Sequence, residues 1–162
     1  MPPPPTLQHA DPEANLAVQR VRAVLPQAIE GVSAHRDQIT LRVHTAHIVE
    51  VCQFLRDDPA LSFEMCLDIT AVDYPMRPRR FDVVYHFYSL SKGHLLRVKA
   101  AVGEHETIES VTPVWKGANW LERETYDMYG VQFANHPDLR RILLTDNFEG
   151  FPFRKDYPLA GY

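Results

Sequence analysis

Glu122, Glu124, Asp127 and His136 fall within one short stretch of the chain. Carboxylates and an imidazole are the groups that hold a divalent cation or exchange protons with a substrate. Their spacing argues against both uses. No His-x-x-x-His or Glu-x-x-His pair falls on one helix face, and Glu122 and Glu124 point to different sides of a helix. The seven glycines are scattered, with no phosphate-cradling loop, no dinucleotide fingerprint and no G-x-S-x-G nucleophile turn. Cys52 and Cys66 are isolated, which suits two buried thiols rather than a disulfide framework, a zinc site or an iron–sulfur site. A free-standing metal enzyme using Glu122, Glu124 and His136 is kept as the alternative from a different functional class.

The same residues make better sense as a surface. In a helix over about 116–129, Ala118, Leu121, Thr125 and Met128 share one face. Trp120, Arg123, Glu124 and Asp127 fall roughly opposite. A tryptophan among fixed charges suits either a face covered by another polypeptide or a ring that laps over the edge of its own domain. Beyond Gly130, a natural helix stop, residues 131–162 show no sustained period and contain Pro137, Pro152 and Pro158. They are also rich in large apolar groups, among them Phe133, Phe148, Phe151, Phe153 and Tyr157. Disordered tails are poor in aromatics, and long irregular segments in compact domains are commonly functional. The expectation is an extended arm laid along a partner. Arg140, Arg141, Arg154, Lys155 and Asp156 would fix its register through charge-assisted bonds.

The elements that must position this segment follow from periodicity. Asp11-Pro12-Glu13 suits a helix start, Val18, Val21 and Leu25 follow at helical spacing, and Pro26 closes the run. A hairpin is expected over 30–43 through the polar turn 35–38, then a helix over about 46–56 with Ile48, Val49, Cys52 and Leu55 inward. Strands are expected over 63–72, 81–90 and 95–102. In the first, Met65, Leu67 and Ile69 should share a face. In the last, Leu96, Val98, Ala100 and Val102 should face the core and Arg97 and Lys99 should face outward. His86 reads as a hydrogen-bonded strand histidine, and Asp73 as a partner for Arg77, Arg79 or Arg80. The order predicts an α+β fold: a two-layer sandwich with helices on one face of a mostly antiparallel sheet, followed by a helix and the C-terminal arm. Residues 1–10 are expected to be disordered, 11–130 to form the α+β domain, and 131–162 to be the docking segment.

With 162 residues the chain is long enough for one domain with a sizeable core. Its formal charge of -4 argues against a nucleic-acid binder. No apolar run approaches the roughly 20 residues that cross a bilayer, and the proline-rich start lacks the pattern of a signal peptide. A chain that stays on the cytoplasmic side and does not itself enter a membrane is expected.

The run from Ala118 to Gly130, ANWLERETYDMYG, resembles the signature of the thirty-kilodalton subunit family of respiratory complex I, the C subunit of NADH–quinone oxidoreductases. Phe133, His136-Pro137-Asp138-Leu139-Arg140-Arg141-Ile142-Leu143, Phe148, Gly150, Pro152 and Arg154-Lys155-Asp156-Tyr157-Pro158-Leu159 are similar to the family's C-terminal pattern. Asp68 to Tyr74, Arg80 to Tyr85 and Ser110 to Trp115 are similar to its strands and its approach to the last helix. The match is strong over about 61–159. Phe153 stands where leucine is usual, and many relatives carry a tail longer than one ending at Tyr162. The resemblance implies a non-catalytic structural subunit of the peripheral arm of a proton-translocating NADH:quinone oxidoreductase. It implies no cofactor in this chain, with FMN and iron–sulfur clusters held by partner subunits. The implied partners are the D subunit, which forms the quinone pocket, and adjacent cluster-bearing subunits. The implied location is the cytoplasmic side of the inner membrane, reached only through the complex. It assigns the subunit interface to Trp120, Glu122, Arg123, Glu124, Asp127, His136, Arg140, Arg141, Arg154, Lys155 and Asp156. The same scaffold in a membrane-bound hydrogenase or ferredoxin-linked complex is the alternative.

Overall fold

The computed structural model describes residues 11–159; the expectation of disorder in 1–10 lies outside them, as do residues 160–162. The strands β1 (Ile29–His35), β2 (Gln38–Val43), β3 (Met65–Asp73), β4 (Phe81–Ser89) and β5 (His94–Val102) form one sheet in the order β1-β2-β5-β4-β3. β1 and β2 make the expected hairpin. Arg36 and Asp37 at its tip both have positive φ, 48° and 64°, the twist that lets a two-residue turn join antiparallel strands. β5 pairs antiparallel with β4 but parallel with β2. A long excursion through α2 (Ile48–Asp57), β3 and β4 intervenes before β5 returns beside β2. The sheet is therefore mixed, with one parallel junction.

The helices α1 (Leu16–Val24) and α2 supply Val18, Val21, Ile48, Val51, Cys52 and Leu55 to the core. These meet Leu41, Val43, Val83, Tyr85, Phe87, Leu96 and Val98 from the strands. The alternation in β5 is as expected, with Leu96, Val98, Ala100 and Val102 wholly buried. Trp115 joins this core, its ring 4.6 Å from that of Phe87 and its Nε1 donating to Phe63 O at 3.2 Å.

Several local expectations are corrected. Asn15, not Asp11, caps α1, its Oδ1 accepting from Ala17 N at 3.0 Å and Val18 N at 3.3 Å. Asp11 caps only a 3-10 turn at Pro12–Ala14, so the helix is broken where a continuous one was expected. In α2 it is Val51 that is fully buried, while Val49 is only partly so. In β3 the register shifts between Cys66 and Asp68. A bulge of this kind inserts one unpaired residue and re-aims its neighbours, so Met65 and Leu67 face solvent while Ile69 faces the core. A second small sheet, unforeseen because its strands are so short, pairs β6 (Thr107–Glu109) with β7 (Gln132–Ala134) in parallel.

Those two strands bracket α3 (Ala118–Tyr129). α3 packs on the edge strand β3, where Thr125 Oγ1 donates to Ile69 O at 2.8 Å. Gly130, at φ 79°, ends α3 in the left-handed conformation that glycine adopts without penalty.

A candidate docking surface on α3 and the C-terminal segment

The acidic residues of α3 turn inward. Glu122 follows Ala118 by four residues and precedes Thr125 by three, the spacing of the buried stripe, and it is wholly buried. Its Oε1 accepts from Val111 N at 2.7 Å and its Oε2 from Ser110 Oγ at 2.6 Å. Burial pushes the Glu122 carboxyl up to about 7, against the pull of those two bonds. The fully shielded His136 ring lies beside it, Nε2 at 3.7 Å from the carboxylate. Asp138 N donates to His136 Nδ1 at 3.0 Å, and His136 Nε2 lies 3.1 Å from Asn119 O. That pattern assigns the proton of a neutral imidazole to Nε2. Glu122 and His136 thus tie α3 to the loop before it and the turn after it.

Glu124 lies exposed on another side of α3. Glu122, Glu124 and His136 therefore do not converge, and among the described residues no group of three His, Cys, Asp or Glu is placed to hold a metal. Burial raises the thiols as well, Cys66 to about 12.

Asp127 is the anchor of the tail. Its Oδ2 accepts from Ile142 N at 3.0 Å, Leu143 N at 2.8 Å and Leu144 N at 2.9 Å, and its Oδ1 takes Arg141 Nη1 at 2.7 Å. Burial opposes ionisation here, but the amides and the Arg141 guanidinium outweigh it and hold the carboxyl below the usual range. Arg141 also donates to Phe148 O and Gly150 O. Arg123 donates to Arg140 O at 3.1 Å and Arg141 O at 3.0 Å.

Further along, Phe153 N donates to Met128 O, and Arg154 donates to Tyr129 O at 2.7 Å and to Glu104 at 2.6 Å. Arg80, nearly buried, grips Asp73 through two nitrogens at 2.7 and 2.9 Å and reaches Asp156 at 2.8 Å. Lys155 N donates to Asp73 Oδ2 at 2.8 Å. Asp73 is held below the usual carboxylate range by Arg80 and the Lys155 amide.

The arm is thus not free of its own domain but fastened to α3 and β3. It is irregular because many of its backbone groups bond to side chains and carbonyls of α3 and to Asp73 rather than to a neighbouring strand. Glu122 and Asp127 offer no surface to another chain, and Arg123 offers little. Arg141 and Arg154 are mostly shielded by their own contacts. Trp120, Glu124, Arg140, Lys155 and Asp156 remain exposed. Glu104, Ser110, Asp73 and Arg80 complete the arrangement. Only Asp73 and Arg80 were legible as a pair: Glu104 lies fifty residues from Arg154, and Ser110 reaches Glu122 across an irregular loop, so neither contact leaves a local pattern.

Among these charges, large apolar side chains are also left bare. Trp120 is 60% exposed, Leu143 62% and Phe153 56%. The Arg123 guanidinium lies 5.2 Å from the Trp120 ring, and Tyr129 meets Phe153 edge-on at 5.6 Å. Trp120 and Phe153 are held by these contacts and Leu143 by its backbone bond to Asp127, yet among the described residues more than half of each remains uncovered.

Residues 41–162 match the family described as "Respiratory-chain NADH dehydrogenase, 30 Kd subunit". A protein of Hyphomonas neptunium (strain ATCC 15444), named as the C subunit of NADH-quinone oxidoreductase, is 48% identical over 138 residues, covering 85% of this chain and 68% of its own length. One of the same name from Parvibaculum lavamentivorans is 47% identical over 144 residues, covering 89% of this chain and 72% of its own. The NADH-ubiquinone oxidoreductase subunit 9 of Prototheca wickerhamii is 47% identical over 139 residues, covering 86% and 72%. Among solved structures, a chain of the membrane-bound sulfane sulfur reductase, an archaeal respiratory membrane complex, has the same fold. Its TM-score is 0.74 at 23% identity, over 88% of this chain and 84% of that one.

Proposed function

The chain belongs to the family of the 30 Kd subunit of respiratory-chain NADH dehydrogenases, and on that premise we propose that it is a non-catalytic positioning subunit of the peripheral arm of an NADH–quinone oxidoreductase. Such a complex passes electrons from NADH to quinone through FMN and iron–sulfur clusters, coupled to proton translocation. Transfer between centres requires neighbouring subunits held at fixed separation, and a rigid chain between them supplies that. In this proposal the FMN and the clusters belong to partner subunits and this chain holds none.

The observation that carries the proposal is the set of large apolar side chains, each more than half exposed, on the segment that the family match spans. Trp120, Leu143 and Phe153 are of the kinds that anchor interfaces when buried by a partner. The partners we propose are the D subunit, which forms the quinone pocket, and adjacent cluster-bearing subunits. Among the described residues no helix is long and apolar enough to cross a membrane. This is in keeping with peripheral attachment through the complex, which we place on the cytoplasmic side of the inner membrane. The fold alone does not choose among respiratory machines, because a sulfane sulfur reductase chain shares it. The identity to relatives named for NADH–quinone oxidoreductase favours that enzyme over a membrane-bound hydrogenase or a ferredoxin-linked complex.

The test is a double substitution, Trp120→Glu with Phe153→Asp, in the tagged full-length chain. Both side chains are more than half exposed, so the chain should stay folded, with the thermal midpoint lowered only by the loss of the Arg123 and Tyr129 contacts, while companions are lost on gentle purification from membranes. Companions retained at the wild-type level would refute the proposed surface.

A further inference from the structure

The face of the sheet turned away from α1 and α2 has a charge problem of its own. Its cross-strand rows run Arg42–Lys99–Val84 and Thr40–Arg97–His86. Asp82, wholly buried, takes Arg42 through two bonds at 3.0 and 2.8 Å and Arg77 at 3.3 Å. Arg97 finds only neutral acceptors: His86 Nε2 at 3.1 Å, Thr40 Oγ1 at 3.5 Å and Gln38 Oε1. These fix the guanidinium without neutralising it. Lys99 has no hydrogen-bond or ion-pair partner among the described residues. Burial, together with the guanidinium groups of Arg97, Arg42 and Arg77, holds the Lys99 ammonium below its usual range, although Asp82 works the other way. At the rim, Asp68 lies 3.9 Å from His86 and Glu30 pairs with His44 at 2.8 Å. Four cations therefore face one buried carboxylate in a chain whose net charge is -4.

Beside them lies an open basin of about 410 Å³, lined by Gly31, Ser33, Thr40, Arg42, Arg97 and Lys99 among others. Gly31 adds to the opening, because a Cβ there would meet nothing. Its lining residues all lie on β1, β2 and β5, so among the described residues it has no helix N-terminus to supply the amide cradle that suits a phosphate. Arg97 and Lys99 stand two residues apart on one strand face, a repeat of about 7 Å. An extended segment with carboxylates at alternate positions has the same repeat.

We propose that this sheet face docks an extended acidic segment of a partner protein, whose Asp or Glu carboxylates pair with Lys99 and Arg97. The inference rests on the chain working inside a multi-subunit complex, and it adds a second surface, polar where the α3 surface is apolar.

The test places a photo-crosslinking amino acid at the exposed Ser33 of the tagged full-length chain, purifies the complex from membranes and sequences the crosslinked peptide. The expected result is a peptide of another subunit carrying at least two acidic residues. Its crosslinking yield should fall about tenfold in Lys99→Glu and at high salt, where charge pairing is screened. Lys99→Gln, which removes charge with little change in shape, should show the same direction with an unchanged thermal midpoint. A crosslink to lipid, a crosslink to a peptide without acidic residues, or a yield indifferent to both substitutions overturns this inference alone. A wild-type chain that brings down no companions overturns the proposed function and this inference together.

Discussion

Replacing Asp127 with alanine should release the C-terminal segment while leaving the sheet folded. The carboxylate accepts the consecutive amides of Ile142, Leu143 and Leu144 and the Arg141 guanidinium, all from a fully buried position. Breaking a buried ion pair by removing one partner costs about 3–5 kcal/mol. Part of that is recovered, because Arg141 keeps Phe148 O and Gly150 O and the freed amides reach water once the segment opens. A local cost of about 3 kcal/mol remains, equivalent to roughly a hundredfold in the opening equilibrium. Hydrogen exchange read residue by residue should show the amides of 142–144 exchanging roughly a hundredfold faster, with β4 and β5 unchanged. The same bonds depend on ionisation. The folded carboxyl lies below its ordinary value of 3.8. Its stabilisation is therefore complete above that value and is lost as pH falls through the lower folded value. Acidifying the wild type should loosen the same amides. Unchanged protection at 142–144 in Asp127→Ala would refute the claim that this carboxylate anchors the tail.

Glu122 should make stability fall as pH rises. It ionises near 4.5 when unfolded and near 7 when folded. The native state holds the proton longer, so the contribution is full below 4.5 and lost above 7, on the order of 3 kcal/mol. Urea unfolding of Glu122→Gln should accordingly show a flatter profile over that window, and parallel profiles for the two proteins would contradict it. Gly130→Ala forces a side chain into left-handed backbone, and its Cβ would lie 2.6 Å from Arg154 Nη2 and 2.7 Å from Phe151 Cε2. A loss of about 2–4 kcal/mol is expected in chemical denaturation, and a loss below about 1 kcal/mol would show that the tail yields easily there.

Where the sequence carried a period, it was legible. The alternation of β5 and the stripes of α1 and α2 place Val18, Val21, Ile48, Cys52, Leu55, Leu96, Val98, Ala100 and Val102 in the core, and the polar turn at 35–38 places the first hairpin. What escaped depends on single insertions or distant partners. One extra residue at Leu67 reverses the outward set of β3, and three-residue strands such as β6 and β7 are too short to show a repeat. In α3 the charges of Arg123 and Asp127 read as available to another chain because their backbone partners lie 15 to 18 residues on, in an aperiodic tail. Glu122 was the exception. Its spacing from Ala118 and Thr125 already placed it on the buried stripe, but a carboxylate there is costly unless bonded, and the Ser110 and Val111 donors leave no mark in the local pattern. Trp120 was legible as an outlier among charges, and it does stand exposed.

If α3 and the tail fastened to it present Trp120, Leu143 and Phe153 for burial by neighbouring subunits, assembly must cover all three. Hydroxyl-radical footprinting of the isolated chain and of the complex purified from membranes tests it directly. Strong labelling of all three in isolation and near-complete protection in the complex is the expected result. Equal labelling in both states would contradict it.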